Sequence, residues 1–220
     1  MKPQHYRSAG WAAVLSGVAA ILALVTLVLF FAIEVNTGGE HLWGPLSDLF
    51  PIIQMALLLV VARTLYLAHR AAAPRLSLIA TVIGMAGMAG VIVLQVLLRM
   101  DVLPFEQEVR PLLVAFGLVG VWLMAANDVG RRQRSLPSRL AWLGMAVGAA
   151  FVLEPVIVFV VGGADWSAYM SNPLLTVISA IVFLTVYFGY PVWVIWLGRV
   201  LLKAEKFETG QQQLDLIPQQ

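Results

Sequence analysis

The sequence has no cysteine among its 220 residues. Disulfide exchange, thiolate catalysis and cysteine-ligated metal sites are therefore excluded. Lysine occurs only at positions 2, 203 and 206, and histidine only at positions 5, 41 and 69. All six positions lie at or beyond the ends of the long apolar runs. The chain therefore has no membrane lysine for a retinal-type Schiff base and no pair of membrane histidines to bracket a haem.

Charged residues are also scarce, at 12% of the chain, whereas hydrophobic residues make up 60%. Typical soluble domains have about 25% charged and about 45–50% apolar residues. The net charge is only +2, and no basic stripe interleaved with aromatic residues is present. We therefore expect a lipid bilayer, and no nucleic acid, as the partner of this chain.

The apolar residues form six long runs, which is typical of membrane-spanning helices. Each run is close to the ~20 residues that a helix needs to cross ~30 Å of hydrocarbon. Helices are expected because lipid offers no hydrogen-bond partner to free backbone groups. The sequence thus predicts an all-α, polytopic bundle of six transmembrane helices, in one domain over residues 1–203 with a polar, loosely ordered tail over 204–220. The predicted spans are 11–33, 49–68, 76–98, 112–126, 140–161 and 174–197.

The basic residues predict the orientation of these helices. Twelve of the fourteen lie on or near one side, and only Arg99 and Arg110 lie on the other. The positive-inside rule then places both termini in the cytoplasm. We expect a multi-pass protein of the bacterial cytoplasmic (inner) membrane.

Two patterns concern how the helices associate. Small residues at helical spacing let membrane helices approach closely, and they predict packing within the chain, with a homo-oligomer contact as the alternative. These residues are Gly84, Gly87, Gly90, Gly144 and Gly148. Proline also recurs near the start of the returning spans, at Pro51, Pro111 and Pro173. Such a repeat fits three related helical hairpins, although proline also suits the first turn of any helix.

The run "FVLEPVIVFV", residues 151–160, carries a carboxylate beside a helix breaker. Counting ~1.5 Å per residue from Leu140 puts Glu154 ~20 Å from the cytoplasmic edge. Pro155 removes a backbone donor and disfavours helical geometry at Glu154. We therefore expect a local break around Phe151–Pro155 that faces protein or a cavity.

Other polar side chains lie at a similar depth on neighbouring spans. Because lipid exposure of these groups is costly, their faces are expected to converge inside the bundle. One reading is an outward-facing pocket that binds a ligand or a proton at Glu154. The other is that Glu154 only ties helices together, through Arg99, Gln95 or a hydroxyl. The candidate residues are Glu154, Gln95, Arg99, Gln54, Asn172, Thr176 and Ser179. The last three belong to a stripe along the sixth span that continues through Phe183, Tyr187 and Tyr190.

No catalytic signature is present. The chain has no GxSxG, no HExxH and no nucleotide-binding glycine loop, so no enzyme activity, cofactor or catalytic residue is predicted. Glu40, His41 and Asp48 could approach a metal on an outer loop, but ordinary loop polarity accounts for them and no metal site is predicted. Arg63 is expected to form an ion pair with Asp128, or to contact Asn127, near the inner face.

The stretches "YRSAGWAAVLSGVAAILA" and "GPLSDLFPIIQMALLLVVARTLY", with hairpins of this spacing, resemble an uncharacterised family of bacterial six-helix membrane proteins. The resemblance rests on topology and on the general character of the sequence, so it implies the fold but no activity or site residues. The sequence is therefore compatible with two functions. The first is binding or passing a small or amphipathic molecule through a pocket around Glu154. The second is a structural or accessory subunit whose surface meets a partner membrane protein.

Overall fold

The computed structural model describes residues 3–35, 42–161 and 173–215, and every regular element in these ranges is helical. Six stretches are long and apolar enough to cross a membrane, so the predicted six-helix bundle is confirmed. The helices are α1 (Pro3–Leu29), α2 (Trp43–His69), α3 (Pro74–Arg99), α4 (Phe105–Arg132), α5 (Ser138–Val156), α6 (Pro173–Leu184) and α7 (Tyr190–Asp215). A π-helical turn (Thr185–Gly189) joins α6 to α7, so these two form the sixth span.

Several helices extend beyond the predicted spans. Helix α2 begins at Trp43 rather than Leu49, and α4 begins at Phe105 rather than Leu112. The apolar pattern ends where the hydrocarbon ends, but a helix that continues still satisfies its own backbone groups. Helix α7 likewise runs to Asp215 where a loosely ordered tail was predicted. Its last segment is rich in Lys, Glu and Gln, which favour helix.

The six spans form a ring in chain order. Each helix packs mainly against the helices before and after it, and α7 packs along α1 and closes the ring. We call the end that holds Glu34, Trp43, Arg99 and Phe105 the arginine-poor end. The seam between α4 and α5 is as extensive as the seams within the predicted hairpins, so the triplicated hairpin stays a prediction. A position in the first turn of a helix does not explain Pro51 and Pro111, because both lie well inside their helices.

Glycines form the close seams between these helices. A Cβ on Gly84 would overlap the Trp122 side chain, and one on Gly87 would lie 2.6 Å from the Ala115 carbonyl oxygen. A Cβ on Gly148 would lie 2.7 Å from the Gly120 carbonyl oxygen. Gly90 and Gly144, the other two predicted packing glycines, also face a helix of the same chain. Such close approach gains van der Waals contact, which drives helix association in lipid.

Glu34, the last residue of the π-helical turn (Phe30–Glu34) that follows α1, forms a long-range cap on α2. Leu42, the residue before α2, has no side chain that can accept a hydrogen bond from the first turn. Glu34 supplies the acceptor instead: it receives the backbone N–H groups of Leu42, Trp43 and Gly44, the last two at 2.6 and 2.9 Å. Glu34 is 4% exposed. A carboxylate at this position satisfies orphan donors and complements the positive end of the helix dipole.

Helix α4 carries a cluster of ion pairs at the opposite end of the bundle. Asp128 forms ion pairs with Arg131 and Arg132, at 2.9 and 2.7 Å. The predicted ion pair between Arg63 and Asp128 is therefore wrong. Because Arg131 and Arg132 follow Asp128 by three and four residues, they share its helix face, whereas Arg63 is exposed on α2.

The predicted break in the fifth span lies later than expected. Helix α5 continues through Glu154 and Pro155 to Val156, and a π-helical turn then covers Ile157–Val161. The predicted position at Phe151–Pro155 is therefore wrong by a few residues. Pro155 removes the donor that the Phe151 carbonyl would use, and the helix accommodates this loss by widening after the proline instead of opening before it.

Candidate functional site: a cavity at the arginine-poor end

A cavity of about 270 Å³ lies inside the bundle. It is formed by α1, α2, α3, α4, α5 and the sixth span, near the arginine-poor end of each. Its volume is close to the lower limit of pockets that hold small molecules. Its polar lining residues are Ser47, Asp48, Gln54, Gln95, Glu108, Glu154, Tyr187 and Tyr190.

Three carboxylates line this cavity. Asp48 and Glu108 lie one turn into α2 and α4, close enough for each to feel the charge of the other. Glu154 lies on α5, within electrostatic reach of Tyr187. Glu154 is half-buried and forms no hydrogen bond or ion pair with the described residues. The cavity thus gathers acids from three helices.

Two buried side chains in the wall lack a hydrogen-bond partner within the described ranges. Glu108 is only 1% exposed, and its Oε1 atom has no partner. Gln95 is 6% exposed, and its Oε1 atom is also unpaired. An unpaired buried acceptor costs about 1–3 kcal/mol, and more for a charged group. Both atoms are therefore available to a guest that donates a hydrogen bond or carries positive charge.

The floor of the cavity is a closed hydrogen-bond network. The Ser16 hydroxyl donates to the Gln54 backbone carbonyl at 3.1 Å and lies 2.8 Å from the Tyr190 hydroxyl. Ser16 has one hydrogen, so Tyr190 is the donor in the second bond. Below the network, Met55, Leu58 and Trp193 are fully buried. These buried side chains lie between the cavity and the arginine-rich end, and they do not belong to the described lining of the cavity.

The remaining wall is apolar and aromatic. Phe116 stacks on Phe151 with ring centroids 5.5 Å apart, and Phe151 meets Tyr190 edge-on at 6.1 Å. Tyr187 lies in the π-helical turn of the sixth span. Single π-helical turns often mark functional sites. The cavity therefore combines acids with aromatic faces.

The structure brings only part of the predicted polar set together. Gln54, Gln95 and Glu154 line the cavity. Arg99 is exposed at the end of α3 and lies within electrostatic reach of Asp48. Among the described residues, Arg99 forms no ion pair with Glu154, and Arg99 does not line the cavity.

The predicted stripe on the sixth span is divided. Tyr187 and Tyr190 line the cavity, whereas Thr176 and Ser179 lie outside its lining. Thr176 and Ser179 lie on α6, whereas Tyr187 lies in the π-helical turn that follows it and Tyr190 begins α7. Asn172 lies outside the described residues.

Two acids of the cavity, Asp48 and Glu108, were not predicted as site residues. Both precede the predicted starts of the second and fourth spans, at residues 49 and 112. Since α2 and α4 begin earlier, both acids lie on helix and face inward. In the sequence, Asp48 follows Trp43 and Glu108 follows Phe105, each within two helical turns. This spacing was the signal that could have identified both acids.

A metal site is not supported by this geometry. Within residues 3–35, 42–161 and 173–215, no three His, Asp or Glu side chains come together in a way that could hold a metal ion. Glu40 and His41, considered above with Asp48, lie outside the described residues.

Comparisons with known proteins add no family. Neither a protein-family model, nor a curated protein, nor a solved structure matches this chain. The resemblance to an uncharacterised six-helix family therefore stays a prediction, and the chain is described by its own architecture as a multi-pass membrane protein with six apolar helices.

Proposed function

We propose that this membrane protein binds a small amphipathic molecule in the cavity that contains Glu154. The observation that carries the proposal is the cavity itself, about 270 Å³ in volume and lined by both polar and apolar side chains. A bundle held together only by its polar residues would pair them with each other. Within the part of the chain that the structure describes, Glu154 forms no hydrogen bond or ion pair, and Glu108 and Gln95 each leave one acceptor atom unpaired.

Binding is better supported than free passage. A channel needs a continuous path, but the Ser16–Gln54–Tyr190 network closes the cavity floor. Passage would require the buried side chains below this network to separate. The molecule would therefore enter and leave at the arginine-poor end, which the positive-inside rule places outside the cytoplasm.

The test fills the cavity without touching its polar groups. Ala23 on α1 lines the cavity, so Ala23→Phe places a ring inside it. Ala89 on α3 is exposed, and Ala89→Phe is the matched control. Both variants and the parent, in lipid nanodiscs, are titrated calorimetrically with benzyltrimethylammonium, benzyl alcohol and benzoate. Small molecules that co-purify are extracted and identified by mass spectrometry.

At least one probe should bind saturably to the parent and to Ala89→Phe, but not to Ala23→Phe. Melting temperatures of the two variants close to the parent would show that folding is intact. If every probe that binds does so equally well to Ala23→Phe, or if none binds the parent, the cavity is not a binding site. The accessory-subunit function would then be favoured.

A further inference from the structure

Acidic groups outnumber basic groups in the described lining of the cavity. Asp48, Glu108 and Glu154 contribute three carboxyl groups, and no lysine, arginine or histidine belongs to the described lining. Arg99 lies within reach of Asp48 from outside the lining. Arg110, two residues after Glu108, is exposed and does not line the cavity. Among the described residues, Arg99 thus acts on one of the three acids.

Glu108 is the least compensated of these acids. It is 1% exposed, its Oε1 atom has no partner among the described residues, and the charged group that acts on it is another acid, Asp48. A charged side chain inside a membrane is costly unless it meets an opposite charge or takes up a proton. Gln95, on the neighbouring helix α3, adds a second unpaired acceptor in the same cavity. Both features favour a ligand that is positively charged or donates hydrogen bonds.

The aromatic side chains of the cavity wall favour an organic ammonium over a metal ion. Phe116, Phe151, Tyr187 and Tyr190 present rings to the cavity, and ring faces attract ammonium groups. A bare metal ion needs several oxygen or nitrogen ligands together, and the described acids do not form such a group. An organic ammonium satisfies both parts of the lining, because its charge meets the carboxylates and its apolar body meets the rings.

We infer that the molecule held in this cavity is an organic cation, an amine or quaternary ammonium with a small apolar body. This inference rests on the proposed function and names its ligand class. Glu108 and Glu154 supply the negative charge, and the aromatic wall surrounds the apolar part. No covalent step is involved.

The experiment compares three probes that share a benzyl or phenyl body and differ in charge: benzyltrimethylammonium, benzyl alcohol and benzoate. Titrations use the full chain in nanodiscs of uncharged lipid, with ionic strength matched by sodium chloride. The variants are Glu108→Gln and Glu154→Gln, which keep shape but remove a carboxylate. Asp101→Asn is the control, because Asp101 is an exposed acid at the same end and lies outside the cavity.

Benzyltrimethylammonium should bind the parent at least about tenfold more tightly than benzyl alcohol, and benzoate should bind most weakly. Each glutamine variant should weaken cation binding by about tenfold or more, which is the scale of a lost charge-assisted contact. Benzyl alcohol binding should change little, and Asp101→Asn should behave like the parent. Two cavity acids are varied separately, so poor folding of one variant leaves the other as a test.

The two proposals fail in different ways. If benzyl alcohol binds as tightly as the cation and both glutamine variants leave the ranking unchanged, the inference of a cationic ligand is overturned. Loss of benzyl alcohol binding in Ala23→Phe would in that case still support the cavity as a binding site. If the parent does not bind benzyltrimethylammonium at millimolar concentration, the ligand class is also wrong, because the charge and rings would then not recognise an ammonium.

Discussion

Removal of the Glu34 carboxylate should destabilise the bundle by separating α1 from the start of α2. Glu34 accepts three backbone N–H groups from Leu42, Trp43 and Gly44. The α2 cap residue itself offers no acceptor. Glu34→Ala therefore leaves three donors without a protein partner at a site where the acid was 4% exposed.

The magnitude follows from the number and kind of these bonds. Loss of an ordinary N-cap side chain costs about 0.5–2 kcal/mol, and a hydrogen bond to a charged group contributes about 1.5–3 kcal/mol. Water reaches part of the freed helix end, so the three bonds do not add fully. We expect Glu34→Ala to lower the free energy of unfolding by about 2–4 kcal/mol. Glu34→Gln keeps one acceptor oxygen but loses the charge at the helix end, and should cost about 1–2 kcal/mol.

The assay is reversible unfolding in mixed micelles with increasing denaturing detergent, followed by circular dichroism. Asp101→Asn removes an exposed acid at the same end and should stay within about 0.5 kcal/mol of the parent, as surface changes usually do. The reasoning is refuted if Glu34→Ala unfolds with the parent, or if Glu34→Gln is the more damaging of the two.

Two further predictions concern packing and orientation. Gly120→Val should destabilise by about 1–3 kcal/mol in the same assay, because a Cβ there would lie 2.5 Å from the Gly148 carbonyl oxygen; Gly90→Ala, whose new Cβ would lie 3.3 Å from its nearest neighbour, should be far milder, and equal effects would contradict the close seam. For orientation, a cysteine at position 101 should react with an impermeant maleimide added outside intact cells, whereas one at Ser135 should not. The reverse labelling pattern would invert the topology.

The number and nature of the spans could be predicted from sequence alone. Apolar runs of about twenty residues predict helices in lipid, because a helix forms the hydrogen bonds of its backbone N–H and C=O groups within the same segment. The five small residues of α3 and α5 also indicated where helices approach closely. Their partners, such as Trp122 for Gly84, appear only in the folded chain.

The composition of the cavity was decided by tertiary structure. Gln54, Gln95 and Glu154 were predicted because a polar side chain within an apolar run is conspicuous. Asp48 and Glu108 were missed because they lie near helix ends, where hydropathy gives no sign of whether a side chain faces inward. The rotation of each helix is set by packing with its neighbours, and in lipid the outward and inward faces are both apolar.

The cap at Glu34 and the divided stripe on the sixth span have the same origin. Glu34 meets α2 only because the first two helices pack side by side, and no local pattern connects an acid with a helix that starts nine residues later. The sixth span contains a π-helical turn at Thr185–Gly189, so uniform α-helical spacing does not describe it from end to end. Hydropathy thus determined which segments cross the membrane, whereas side-by-side packing decided which of their side chains meet.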